Sequence, residues 1–82
     1  MVTLKNVTKR NNILVADYYP EDKQTDLGHI EYNVLTGEVE NIKHCKEDEN
    51  SFLKPYSYKS VLAIKEILGK DTLPKTYTYM WY

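Results

Sequence analysis

His29 and Glu31 stand two residues apart, so in an extended segment both side chains point to one face. An imidazole beside a carboxylate is the beginning of acid–base chemistry or of a metal site, and His44 is the one other imidazole in the chain. A zinc site built from His29, Glu31 and His44 requires the two rings to converge. The hairpin joining their segments instead puts His29 opposite Lys43 and His44 opposite Gly28 on the other face, so the rings diverge unless a bulge intervenes. The expectation is two solvent-facing histidines without a metal. His44-Cys45 is the one place where a nucleophile adjoins a base, yet neighbours on a strand point to opposite faces. An ordinary strand-end cysteine beside an exposed histidine is expected there. Asp17 interrupts an apolar run; burial would raise its pKa and suit it to general acid work. Its place just before Tyr18-Tyr19-Pro20 predicts an exposed strand end instead.

No nucleophile motif, phosphate loop or metal-ligand spacing follows elsewhere, so no residue is assigned as catalytic, cofactor-binding or metal-binding, and no cofactor is expected. Tyr56-Ser57-Tyr58-Lys59 and Lys75-Thr76-Tyr77-Thr78-Tyr79 interleave aromatic and basic residues in the manner of a single-strand nucleic-acid platform. Eleven Lys and Arg are outnumbered by twelve Asp and Glu, and such a platform needs a positive groove, so nucleic acid is not an expected partner. Glu47, Asp48 and Glu49 read as a solvated charge run.

Eighty-two residues supply one core, so residues 1–82 are expected to form a single domain. With 41% hydrophobic and 28% charged residues the chain should fold, and its eight tyrosines suit a thin domain whose rings are half covered. A single cysteine excludes an internal disulfide framework and fits a reduced compartment. Met1 to Asn6 lack the apolar region of a signal peptide and no run is long enough to span a membrane, so a cytoplasmic protein is expected.

The elements that must position these groups follow from periodicity. Val2, Leu4 and Val7 predict a first strand, Thr8 to Asn12 a turn, and Ile13 to Tyr19, apolar on both faces, a central strand stopped by Pro20. Glu21 to Asp26 read as charged loop. Ile30, Tyr32 and Val34 point inward on the next strand, with His29, Glu31 and Asn33 outward. Leu35-Thr36-Gly37 predicts a three-residue loop with Gly37 left-handed, pairing Val34 with Glu38, Tyr32 with Glu40 and Ile30 with Ile42. Val39 is then out of phase, which calls for a bulge between Val39 and Ile42 or an edge strand with mixed faces. A helix follows with Ser57 as N-cap, Tyr56 and Val61 as a hydrophobic staple, an apolar stripe of Tyr58, Val61, Leu62, Ile64 and Leu68, Lys59, Ser60 and Glu66 mostly off it, and Gly69 as the stop. Thr76 to Tyr82 alternate so that Tyr77, Tyr79 and Trp81 share a face of a last strand, beside the first or second. The predicted architecture is a two-layer α+β domain, an antiparallel sheet of four to five strands (two hairpins, helix, C-terminal strand) packed on one helix.

Ala16-Asp17-Tyr18-Tyr19-Pro20-Glu21, Gly28-His29-Ile30-Glu31, Thr36-Gly37-Glu38-Val39 and Met80-Trp81-Tyr82 resemble a family of small proteins of unknown function from Gram-positive bacteria, a likeness spanning nearly the whole chain. It implies a cytosolic stand-alone protein and carries no site residues. The hairpin Tyr32 to Val39 is also similar to that of PepSY-type domains, which implies contact with peptidases, although the helix here follows the hairpin where a PepSY unit has it first.

The expected function is therefore a non-enzymatic interaction module, a homodimer or a binder of a protein partner, acting through a sheet edge or a tyrosine-rich face. The alternative is a small ligand-binding protein or enzyme using outer-face His29 and Glu31 with Asp17 or Tyr32. Single-stranded nucleic acid binding ranks below both.

Overall fold

The computed structural model describes residues 1–80; Trp81, expected to share a face with Tyr77 and Tyr79, lies outside the described residues. Alternation and turn chemistry divide the chain into β1 (Val2–Arg10), β2 (Ile13–Pro20), β3 (Gly28–Asn33), β4 (Glu38–Lys43), α1 (Lys46–Glu49), α2 (Pro55–Ile67) and β5 (Tyr77–Tyr79). The strands form one open antiparallel sheet in the order β4-β3-β2-β1-β5, with β2 in the middle. This is the expected small α+β fold. The last strand lies beside the first, where Tyr79 pairs with Val2 and Tyr77 with Leu4, so both rings turn toward the core.

The core lies between α2 and one face of the sheet. Val2, Leu4, Leu14, Ala16, Tyr18, Ile30 and Tyr32 meet Ala63, Ile64 and Ile67 of α2, with Val7 and Cys45 at its margins. β1 keeps both Leu4 and Val7 inward although their spacing is odd, because two residues, Asn6 and Val7, stand opposite one on β2. Asn6 takes the left-handed conformation at φ 54°, which asparagine tolerates better than most residues, and the bulge restores the phase.

The second hairpin departs from the predicted register by one residue at its turn. The Asn33 Oδ1 accepts the backbone N–H groups of Leu35 and Thr36, at 2.9 and 3.1 Å, so the loop closes on Asn33 and pairs it with Glu38. Gly37 is left-handed as predicted, at φ 74°. Tyr32 then faces Val39 rather than Glu40, and Glu40 bulges out before the register recovers at Ile30 and Ile42. Both explanations offered for the odd phase of Val39 hold, since β4 is bulged and is an edge strand exposed along most of its length.

α2 starts earlier than predicted and buries a face that only partly overlaps the predicted stripe. Pro55 occupies the first turn, with left-handed Lys54 as N-cap; Ser57 lies inside the helix and its hydroxyl donates to the Lys54 carbonyl at 3.1 Å. The buried positions are Ser57, Ser60, Ala63, Ile64 and Ile67, while Tyr58 stands exposed and Val61, Leu62 and Leu68 flank the contact. Small residues let the helix approach the sheet closely. Ser60 can be buried because its hydroxyl donates to the Tyr56 carbonyl at 2.7 Å. Gly69 follows the Leu68 cap at the expected place, without a left-handed φ.

The segment read as a solvated charge run is half structural. Glu47 and Glu49 are exposed, but Asp48 is fully buried. One Asp48 oxygen accepts from the Tyr18 hydroxyl at 2.8 Å and the Ser57 N–H at 2.7 Å, and the other from the Tyr56 N–H at 2.9 Å. The side chain thus caps α2 from six residues upstream of its N-cap and joins it to the middle strand. The loop after β2 plays the same part for α1, where Asp26 accepts the Lys46 and Glu47 N–H groups at 2.7 and 3.1 Å.

Candidate functional site: a carboxylate-flanked histidine on the uncovered sheet face

Because α2 takes one face of the sheet, the other has no layer over it among the described elements. Alternation along β2 places Ile13, Val15, Asp17 and Tyr19 there, each half-buried, between fully buried inward residues. The β2–β3 register sets Asp17 directly opposite His29, and β4 brings Lys43 to the far side of the ring. The His29 Nδ1 lies 2.8 Å from the Asp17 Oδ1, and its Nε2 lies 3.1 Å from the Glu31 Oε2. The other Asp17 oxygen accepts from the Asn6 amide at 3.0 Å, a contact that exists because the bulge in β1 holds Asn6 over the neighbouring strand.

Ionised carboxylates only accept, so a ring between two of them makes both hydrogen bonds only in its imidazolium form. Its hydrogen bond to Asp17 lifts the His29 pKa above the ordinary 6.5, against partial burial and with help from Glu31. Partial burial is the largest influence on Asp17 and pushes its pKa upward, but the His29 and Asn6 hydrogen bonds and the charges of His29 and Lys5 outweigh it and hold Asp17 below 3.8. An imidazolium donating at both nitrogens has no lone pair for a metal or a substrate proton. The pair resembles the aspartate–histidine half of a hydrolytic triad, except that a carboxylate sits where a nucleophile hydroxyl belongs. What the site supplies is a fixed pattern of alternating charge on a partly apolar surface.

A pH dependence follows. His29 has a folded-state pKa above its unfolded one, so its contribution to stability is fully present below about 6.5 and is lost as pH rises through the folded value. Asp17 acts oppositely, with a contribution present above its unfolded pKa and lost as pH falls through its lowered folded value. We expect an NMR titration of the His29 ring to have its midpoint above 6.5, and urea stability to decline through that midpoint. In His29→Gln this component of the decline should vanish. An unshifted His29 midpoint refutes the network.

The remaining candidates do not join this cluster. Cys45 is buried and its thiol pKa is pushed up, chiefly by burial, which disfavours the thiolate that nucleophilic chemistry needs. His44 lies beyond the end of β4 and is half-buried rather than exposed; its Nδ1 is shielded from solvent and has no hydrogen-bond partner among the described residues. Tyr32 is buried on the opposite face of the sheet. Among the described residues no group of three or more His, Cys, Asp or Glu is arranged to hold a metal, and no pocket is enclosed. Asp17 is not at an exposed strand end as expected; it is half-buried within β2, and its register with His29 was the signal that sequence reading passed over.

Outside this face, the most exposed apolar side chains among the described residues sit together in sequence between α1 and α2, where Phe52 is 97% and Leu53 79% exposed. The loop that carries them is braced from within, since the Lys54 ammonium donates to the Asp48 and Ser51 carbonyls, both at 3.2 Å. No helix among the described residues is long and apolar enough to cross a membrane.

Compared with known proteins, the chain matches no family model, no curated relative and no solved structure.

Proposed function

We propose that this chain is a non-enzymatic protein–protein interaction module that associates with another folded chain through the uncovered face of its sheet. The observation that carries the reading is the row Ile13, Val15 and Tyr19 along the middle strand, apolar side chains on a face without a layer, around the fixed charges of Asp17, His29 and Glu31. Apolar area bounded by polar groups with settled partners is the composition of a binding surface. The sheet edges suit strand addition less well. β4 is interrupted by the Glu40 bulge and carries Glu38, Glu40 and Lys43, devices that discourage pairing, and β5 covers three of the described residues.

The reading is tested by placing a photoreactive amino acid at the position of Val15 in the full chain, with controls at exposed Lys65 on α2 and at Phe52, and irradiating living cells. A protein adduct from the Val15 position and none from Lys65 is expected. Adducts from the Phe52 position alone would move the docking site to the α1–α2 loop, and no adduct from Val15 defeats the proposal.

A further inference from the structure

We infer that the chain covering this face is a second copy of the same protein, packed sheet against sheet about a two-fold axis running along the strands between β2 and β3. The inference rests on the interaction reading above and names its partner. The strand registers arrange the outer face in rows across the sheet. One row runs Arg10, Ile13, Asn33, Glu38; the next Thr8, Val15, Glu31, Asn41; the third Lys5, Asp17, His29, Lys43. β5 pairs only with Val2 to Leu4, so β1 to β4 form most of the sheet and its centre lies between β2 and β3.

Two faces related by a two-fold axis must be self-complementary, each row lying over its own reverse. A rotation about that central axis carries β1 over β4 and β2 over β3. Arg10 then faces Glu38 of the second copy, with Glu40 beside it, and Asp17 faces the imidazolium of His29. Both contacts occur twice. Ile13 and Val15 lie over Asn33 and Glu31 and next to their own symmetry mates near the axis. The like-charged contact is Lys5 over Lys43, whose long stems let the ammonium groups separate into water.

The overlap sets the strength. Four strands at about 4.8 Å spacing by six residues at about 3.3 Å give a flat footprint of about 400 Å² per copy, against roughly 800 Å² per partner in a standard interface. The dimer is therefore weak and concentration-dependent, and the charge pairs decide its orientation more than its affinity.

Sedimentation velocity on the full chain, from about 10 μM to about 1 mM, covers the range in which an interface of this size dissociates. We expect reversible dimerisation. Arg10→Glu and Glu38→Arg should each weaken it about tenfold at low salt, because two symmetry-related exposed contacts change sign together, and the double reversal should recover it. Lys43→Glu should strengthen it by removing the one like-charged pair. These side chains are exposed, so folding is not at issue. A monomer throughout the range, with the Val15 adduct retained on another protein, overturns the second copy and leaves the interaction reading standing. A dimer indifferent to Arg10→Glu and Lys43→Glu overturns this geometry, and absence of both dimer and adduct overturns the two together.

Discussion

Asp48→Ala is expected to lower the unfolding free energy by about 3–5 kcal/mol, the loss typical of breaking a buried charged hydrogen-bonded group by removing one partner. The carboxylate is fully buried and satisfies three donors, the Tyr18 hydroxyl and the Tyr56 and Ser57 N–H groups. Truncation removes the acceptor of all three, and the Tyr18 hydroxyl and the Ser57 N–H are buried, where an orphan donor costs about 1–3 kcal/mol unless water reaches it. Asp48→Asn keeps the volume and isolates the cause. Whichever way the amide turns, its NH₂ meets one of the two backbone N–H groups of α2, so about 1–3 kcal/mol should still be lost. For a chain of this length the whole stability is about 4–12 kcal/mol, so the alanine variant stands close to unfolding. Urea melts followed by circular dichroism measure both changes. A loss under 1 kcal/mol in Asp48→Ala would show that α2 does not depend on this cap. Glu49→Ala, one residue on and exposed, serves as the neutral control.

Gly28→Ala is the second large effect, expected at about 2–4 kcal/mol from forced overpacking together with a broken buried hydrogen bond. A Cβ at Gly28 would fall 2.2 Å from the Tyr18 Cε1 and 2.4 Å from its Cζ, because the two residues are cross-strand partners and the ring lies over the glycine. The ring cannot step aside without cost. Its hydroxyl donates to Asp48 and accepts the Cys45 N–H at 3.1 Å, and burial pushes its pKa far above the ordinary tyrosine range, keeping the donated proton in place. Gly37 is the more obvious glycine, with its left-handed φ, yet a Cβ there meets nothing closer than 3.6 Å, so Gly37→Ala should cost only about 1–2 kcal/mol of backbone strain. A double-mutant cycle separates the mechanisms: in a Tyr18→Val background the cost of Gly28→Ala should shrink below about 1 kcal/mol, since the ring it collides with is gone. An undiminished cost there would place the sensitivity in the backbone instead.

These two variants show where sequence reading ended. Strand faces were legible because period-two alternation is a local property, and Ile30, Tyr32, His29 and Glu31 all point as predicted. The middle position of β2 followed from its apolar character, and the irregularity of β4 from the phase of Val39. The helix face was only partly legible from hydrophobicity, which places Ile64, Val61 and Leu68 at the contact but not Ser57 or Ser60. The buried contact joins Ile64 and Ile67 to Ser57, Ser60 and Ala63, where small size permits close approach and the two serine hydroxyls bond to backbone carbonyls. Asp48 was indistinguishable from Glu47 and Glu49 because burial of an acid depends on donors distant in the chain, one of them thirty residues away on β2. The same holds for the candidate site. Glu31 is local to His29, but Asp17 reaches it only through the register of β2 with β3, and Asn6 reaches Asp17 only through the bulge in β1.

By itself, then, the sequence determined the order of the strands and the long helix, the inward and outward faces of β3 and the two-layer α+β class, because each follows from residue spacing and turn chemistry within a few positions, whereas α1 and the faces of β4 did not. Tertiary structure alone decided that the buried face of α2 includes Ser57 and Ser60, that Asp48 caps it from a distance, and that His29 is held between two carboxylates on an uncovered face. Those outcomes depend on hydrogen-bond partners far apart in the chain, and strand register and helix docking settle which of them meet.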